Sequence, residues 1–258
     1  MKQYFSAAIA FVLVQMSAMA RGSAVKVTPL GSHDGEFCQF DRAMVFEDPN
    51  GTRLVYDVGQ IAGVEDPRLG EIDVVLLSYV HGDRLGDEHI PEVNAGECSA
   101  PDTSQDVTPL SNTVDIAVAN DAKIVVGSEM NSFFSNKVSA AGGDSESVEL
   151  VRFGQETVVK DLYNASLVVI NIGDTFTTDP KEAAFVVNEL IEPVSVIPSH
   201  ANEAATEEGK VIPDTKTDEF IEETVFPVYT PLSGETMGFD GFGTCVTGCE
   251  NVSSPESE

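Results

Sequence analysis

Apolar and polar residues alternate along this chain first with the period of strands and later in strand–helix units. Residues 25–30 (VKVTPL) alternate as a half-buried strand does. Residues 43–47 and 52–57 read as two strands joined across Asp48, Pro49, Asn50 and Gly51, a strong turn signal. The run 72–78 (IDVVLLS) has the pattern of a strand buried on both faces. Residues 92–109, rich in Pro, Asn, Asp, Ser and Gly, predict a long loop. A helix is then expected over 112–120, a β-branched strand over 123–127, and a helix over 129–141 ended by Gly142 and Gly143. Residues 148–153 and 156–159 flank Gly154 and Gln155 and predict a hairpin. A buried strand at 167–172 leads to an amphipathic helix over 180–191, with Pro180 at its start. A strand over 194–198 ends at Ser199 and His200, a short helix is expected over 219–224, and strands at 228–232 and 236–239 finish the sheet. The acidic stretch from Glu250 reads as a disordered tail. This order predicts a layered α/β protein with two sheets and helices outside them, without internal repeats.

Composition adds to that picture in four respects. The 258 residues, 42% of them hydrophobic, suffice for a large buried core. The formal net charge of −29 repels phosphate backbones and anionic lipid heads, which argues against nucleic-acid and membrane-surface partners. At the N-terminus, Lys2, an apolar run over 7–14 and the small residues Ala18 and Ala20 form a secretory signal peptide over 1–20, so a periplasmic or secreted, soluble product is expected. An exported protein meets an oxidising compartment, where its four cysteines (Cys38, Cys98, Cys245, Cys249) suggest disulfides in any of three pairings. Cys245 with Cys249 is the nearest pair in sequence, and Cys38 with Cys98 would then staple two early loops.

The chemistry-bearing segment follows the strand at 72–78 and contains Tyr79, His81, Gly82, Asp83, Arg84, Leu85 and Gly86. It resembles the signature of the metallo-β-lactamase superfamily, H-x-H-x-D-H followed by an apolar–Gly step, with Tyr79 and Arg84 where the first and last histidines would stand. Asp57 and Gly59 resemble the family's Asp-x-Gly element, and Pro198 and His200 resemble the Pro-x-His that ends a late strand in lactonase-like members. The resemblance runs in order from about Val25 to about Phe239, within a domain of 25–249. It implies an αββα sandwich, here incomplete, and a hydrolytic metal site. In such a site imidazole and carboxylate ligands hold zinc or manganese, and the metal lowers the pKa of a bound water toward neutrality.

Three departures bear on that chemistry. Tyr79 replaces an imidazole by a phenol with a pKa near about 10. Arg84 replaces another by a guanidinium that only donates hydrogen bonds and cannot bind a metal. The family's middle histidine and bridging Asp have no counterpart, since none of the four histidines (His33, His81, His89, His200) lies between His89 and His200, and a central block is missing. Asp174, in a Gly-Asp-Thr, sits in what resembles a later turn. His81, Asp83 and His200 are left as ligands for at most one zinc or manganese ion, Asp83 also serving to orient a water. Asp57, Tyr79, Arg84 and Asp174 are candidate pocket residues. Two blander roles stand beside these: His81 and His200 as hydrogen-bonding loop residues, and Asp83 as an ion-pair partner of Arg84. Arg84 also suggests an internal substitute for the second metal, its charge set among carboxylates that would otherwise repel.

Three readings follow from the sequence. One is an exported metal-dependent hydrolase of lactones, esters, amides or phosphoesters. Another is a non-catalytic relative, a pseudoenzyme that binds a small anion or serves a structural role. The last is a decayed gene product that folds poorly. Fold alone does not choose a substrate.

Overall fold

The computed structural model describes residues 24–61, 63–106, 110–127, 130–151, 165–175 and 177–253. The strands β1 (Val25–Leu30), β2 (Ala43–Glu47), β3 (Arg53–Tyr56) and β4 (Val74–Leu77) form one sheet with β5 (Lys123–Gly127), β6 (Val148–Val151), β10 (Met237–Phe239) and β11 (Cys245–Thr247). Its order is β6-β5-β4-β3-β2-β1-β10-β11. Strands β3 to β6 run parallel and the rest pair antiparallel. A second sheet has the order β7-β8-β9-β12, built from β7 (Leu167–Asn171), β8 (Ser195–Ser199), β9 (Val228–Tyr229) and β12 (Val252–Ser253).

Side-chain alternation in β2 explains why the sheets stack. Ala43 and Val45 face a core shared with Val55, Val75, Leu77, Ile124 and Val126. Met44 and Phe46, one residue out of phase, face Ile197, Tyr229 and Phe239 between the sheets. The first core is closed by helices α2 (Asn112–Asn120) and α3 (Met130–Ala140), through Val114, Ile116, Phe134 and Val138. The outer face of the second sheet is closed by α4 (Pro180–Phe185) and α5 (Lys216–Glu223), through Ala183, Ala184 and Phe220. The layers are therefore helix, sheet, sheet, helix, as the resemblance implies. Among the described residues the second sheet has half as many strands as the first. On the inner face of the larger sheet Leu54, Val74, Leu76 and Val125 are only half-buried.

Local chemistry sets the boundaries. Ser111 caps α2, Asp179 caps α4 with Pro180 at the first helical position, and Thr215 caps α5, each side-chain oxygen accepting a backbone N–H. The Asp48–Gly51 turn joins β2 to β3 as expected, with Glu47 opposite Arg53.

Several expectations need correction. The helix from Pro180 continues as π-helical turns over Val186–Ile191. The expected strand at 148–153 is β6, and its described pairing is parallel to β5. The hairpin partner expected at 156–159 and the signal peptide at 1–20 lie outside the described residues. The expected disordered tail starts too early, because Val252 and Ser253 pair with Tyr229 and Val228. The loop at 92–109 carries a short ladder, Gly96–Glu97 against Ala100–Pro101. Disulfides join Cys38 to Cys98 and Cys245 to Cys249. No helix among the described residues is long and apolar enough to cross a membrane.

Candidate functional site at the ends of the central strands

Strand β4 ends at Leu77, and the chain passes through Ser78 to His81 into a single helical turn, α1 (Gly82–Leu85), which presents Asp83 and Arg84. The turn can close only because Gly86 adopts a left-handed φ of 72° and lies so near Gly59 that a Cβ would come within 2.3 Å of the Gly59 carbonyl oxygen. Gly59 N donates to Arg84 O at 2.8 Å, tying this turn to the segment that carries Asp57. From the second sheet, β8 ends at Ser199 and delivers His200 in a left-handed conformation (φ 59°). Asp57, Asp174, Thr175 and Asn202 also have positive φ, so five strained non-glycine residues gather at this end of the sandwich. Backbone strain of this kind concentrates at functional sites.

Asp57 is buried beneath the loop. Its Oδ1 accepts from Ser78 N at 2.8 Å, and its Oδ2 accepts from Ser78 Oγ at 2.6 Å and from Arg84 Nη1 at 3.1 Å. Arg84 is buried too; its Nη1 also donates to Ser78 Oγ at 2.7 Å, and its Nη2 lies 3.0 Å from His200 Nδ1. A guanidinium has no acceptor, so Nδ1 must receive this bond through its lone pair. The ring is then the Nε2–H tautomer, and Nε2 donates to Asp83 Oδ2 at 3.2 Å. Arg42 Nε reaches the same Oδ2 at 3.2 Å, and Arg42 Nη2 donates to Asn202 Oδ1 at 2.6 Å.

The titration shifts agree with this assignment. Burial, the largest effect, pushes His200 below the ordinary histidine value, Arg42 and Arg84 add to it, and Asp83 opposes it. Burial would raise Asp83, but the His200 hydrogen bond and the Arg42 charge outweigh it and hold the carboxyl well below the usual carboxylate range. Tyr56, next to Asp57 in the chain, is pushed up to about 12 by burial and by that neighbouring charge. Because folding lowers the His200 pKa, the neutral ring contributes stability above its unfolded value near about 6.5, and that contribution is lost as pH falls below it.

Arg42, Ser78, Asp83, Arg84, His200 and Asn202 line an open cleft of about 890 Å³, with Gln39, Phe40, Gln60, Tyr79, His81, Asp174, Thr175 and Thr177 completing its lining. The structure brings some of the candidate residues together and leaves others apart. Asp83 and His200 meet, but His81 stays exposed, its ring packed edge-on against Tyr79 with centroids 4.5 Å apart. Asp174 is exposed on the cleft rim, where its backbone N donates to Thr178 O at 3.2 Å. Asp83 pairs with Arg42 and His200, and Arg84 pairs with Asp57, so the expected Asp83–Arg84 ion pair is replaced by two crossed ones. His33 bonds Ser32 Oγ and Gly96 O, and His89 bonds Asn112 Oδ1. No motif marks Arg42 or Asn202 in the sequence. The available signal was a basic residue set directly before the apolar strand β2 in a chain with only 14 bases.

Comparison with known proteins supplies the ancestry. No family model matches the chain. It is 25% identical over 222 residues to a UPF0173 metal-dependent hydrolase of Koribacter versatilis, covering 73% of this chain and 91% of that protein. It is 29% identical over 171 residues to one from Cupriavidus taiwanensis (52% of this chain, 60% of that protein) and 27% identical over 181 residues to one from Thermococcus onnurineus (61% and 80%). The chain thus spans about 60% of the length of the Cupriavidus relative. These similarities and the helix–sheet–sheet–helix layering agree with the resemblance to the metallo-β-lactamase superfamily.

The relatives are metal-dependent by name, so the donor set of this metallo-β-lactamase-type site must be tested against a metal. Both ring nitrogens of His200 are engaged, one by a cation. Both carboxylate oxygens of Asp57 accept hydrogen bonds, and Asp83 Oδ2 is shared by Arg42 and His200. Among the described residues no group of three or more His, Cys, Asp or Glu is placed to hold a metal ion. The site as built does not fit a divalent cation, and the expected triad of His81, Asp83 and His200 is not assembled.

Proposed function

We propose that this protein is an exported, non-hydrolysing member of the superfamily that keeps the ancestral cleft as a binding site for a small neutral polar molecule. The observation that carries this reading is the commitment of His200, whose Nδ1 receives Arg84 while its Nε2 serves Asp83. A metallohydrolase needs an imidazole lone pair for the metal and an open position for water. An arginine at that lone pair serves neither need.

The ligand class follows from the charges. Each guanidinium in the cleft is matched by a carboxylate, Arg42 by Asp83 and Arg84 by Asp57, and Asp174 adds a negative charge at the rim. No surplus positive charge remains for an anion, so the small-anion ligand expected from sequence is replaced by a neutral one. Gln60 Oε1 is buried and has no partner among the described residues, and Gln60 lines the cleft. A ligand N–H or O–H would satisfy it. Export is supported by the signal-peptide pattern at the N-terminus and by the two disulfides.

The test is elemental analysis of protein refolded with zinc, with manganese and without metal, together with activity on chromogenic esters and lactones. Metal far below one ion per chain and no hydrolysis above background are expected. A thermal-shift screen should show stabilisation by neutral polar compounds and none by sulfate or phosphate. Stoichiometric metal accompanied by turnover would overturn the reading.

A further inference from the structure

We infer that Arg84 is a built-in replacement for a metal cation, and that cutting back its side chain turns the site into a divalent-cation site. The inference rests on the metal-free reading above and deepens it.

The geometry assigns this role. The guanidinium is buried and touches three groups at once: Asp57 Oδ2 at 3.1 Å, Ser78 Oγ at 2.7 Å and His200 Nδ1 at 3.0 Å. A carboxylate, a hydroxyl and an imidazole lone pair converging on one point are oxygen and nitrogen donors of the kind that ligate zinc or manganese. Ordinarily a buried arginine is matched by carboxylates and carbonyls. An imidazole nitrogen is an unusual partner for it, because two basic groups then share one hydrogen bond.

Charge points the same way. Asp57 and Asp83 belong to one connected network, joined through Arg84 and His200. A network with two carboxylates requires compensating positive charge in a poorly solvated place. Arg84 supplies it from one side of His200, and Arg42 supplies it from the far side of Asp83. Arg84 is held there by its own backbone, since Gly59 N bonds Arg84 O and the left-handed Gly86 ends its helical turn. The backbone of Arg84 is thus fixed by the fold, and the bonds to Asp57, Ser78 and His200 hold its guanidinium. Truncation to alanine would free Asp57 Oδ2, Ser78 Oγ and His200 Nδ1 around an emptied space of guanidinium size.

The experiment uses the full mature chain with Arg84→Ala and Arg84→Lys, melted in chelator and then with micromolar zinc or manganese, millimolar guanidinium, or millimolar urea. In chelator the alanine variant should melt about 10 °C below wild type. Zinc or manganese, or guanidinium, should restore at least half of that loss, whereas urea, its neutral isostere, should not. The lysine variant should need no additive to regain part of the loss, and wild type should not respond to any of the three cations. If the alanine variant does not fold unaided, it is refolded with each additive; recovery with a cation alone supports the inference, and recovery with none overturns it. A variant that melts like wild type, or that no cation helps, also overturns it. Stoichiometric zinc with hydrolysis in wild type would instead defeat the metal-free reading, so the two failures are distinct.

Discussion

Removing the Cys38–Cys98 bridge, by Cys38→Ala together with Cys98→Ala, should lower the unfolding free energy by roughly 4 kcal/mol. The two residues are 60 positions apart, so the bridge closes a long loop and removes much of the freedom of the unfolded chain. In the folded state the bridge also braces the cleft. Cys38 is fully buried, its N donates to Asp41 Oδ2, and Gln39 N donates to Cys98 O at 3.1 Å. Gln39 O and Asp41 O in turn receive Arg42 Nη1. Urea denaturation of the variant against the oxidised parent measures the loss, and equal midpoints would show that the bridge is dispensable. The Cys245–Cys249 bridge spans only four positions, so its removal should cost less.

Arg42→Met should destabilise the protein by about 3–5 kcal/mol at pH 7, because it leaves a carboxylate in a buried network without its cation. Arg42 is itself almost fully buried, with a side chain 3% exposed, and its loss strips donors from Asp83, Asn202, Gln39 and Asp41 together. The effect should depend on pH with a defined sign. Folding lowers the Asp83 pKa, so the stability it contributes is present above the unfolded value near about 3.9 and is lost as pH falls through the lower folded value. The gap between wild type and variant, measured by urea denaturation, should be full at pH 7 and shrink below about pH 4. A gap independent of pH would place the cost in packing.

Much of the scaffold is legible in the sequence because it is written in local periodicity. The helix over Asn112–Asn120 and the strand over Lys123–Gly127 have the expected boundaries. The alternation of Ala43, Met44, Val45 and Phe46 specifies one strand with a core on each side. Pairing direction is less legible, since nothing within Val148–Val151 distinguishes a hairpin from the parallel partner it finds in β5. Nor does the acidic composition after Glu250 reveal that Val252 and Ser253 extend the second sheet, a contact settled by the distant strand β9.

The site divides along the same line. Tyr79, Asp83, Arg84 and His200 could be singled out because a spaced motif marks them. What they do there depends on contacts between residues far apart in the chain. Arg84 meets His200 across 116 positions, and Arg42 meets Asn202 across 160. A motif identifies which residue types are present at a strand end. It does not identify which of two arginines takes which of two carboxylates, and that crossing, Arg42 to Asp83 and Arg84 to Asp57, decides the chemistry.

At His200 an arginine holds the place that a metal would need. Long-range ¹H–¹⁵N NMR of the His200 ring tests it directly. At pH 7 the ring should be the neutral Nε2–H tautomer with Nδ1 accepting a hydrogen bond, it should titrate below the ordinary histidine value, and its signals should stay in place when an equivalent of zinc is added. A zinc-dependent shift of the His200 nitrogens in the wild-type protein would contradict the account.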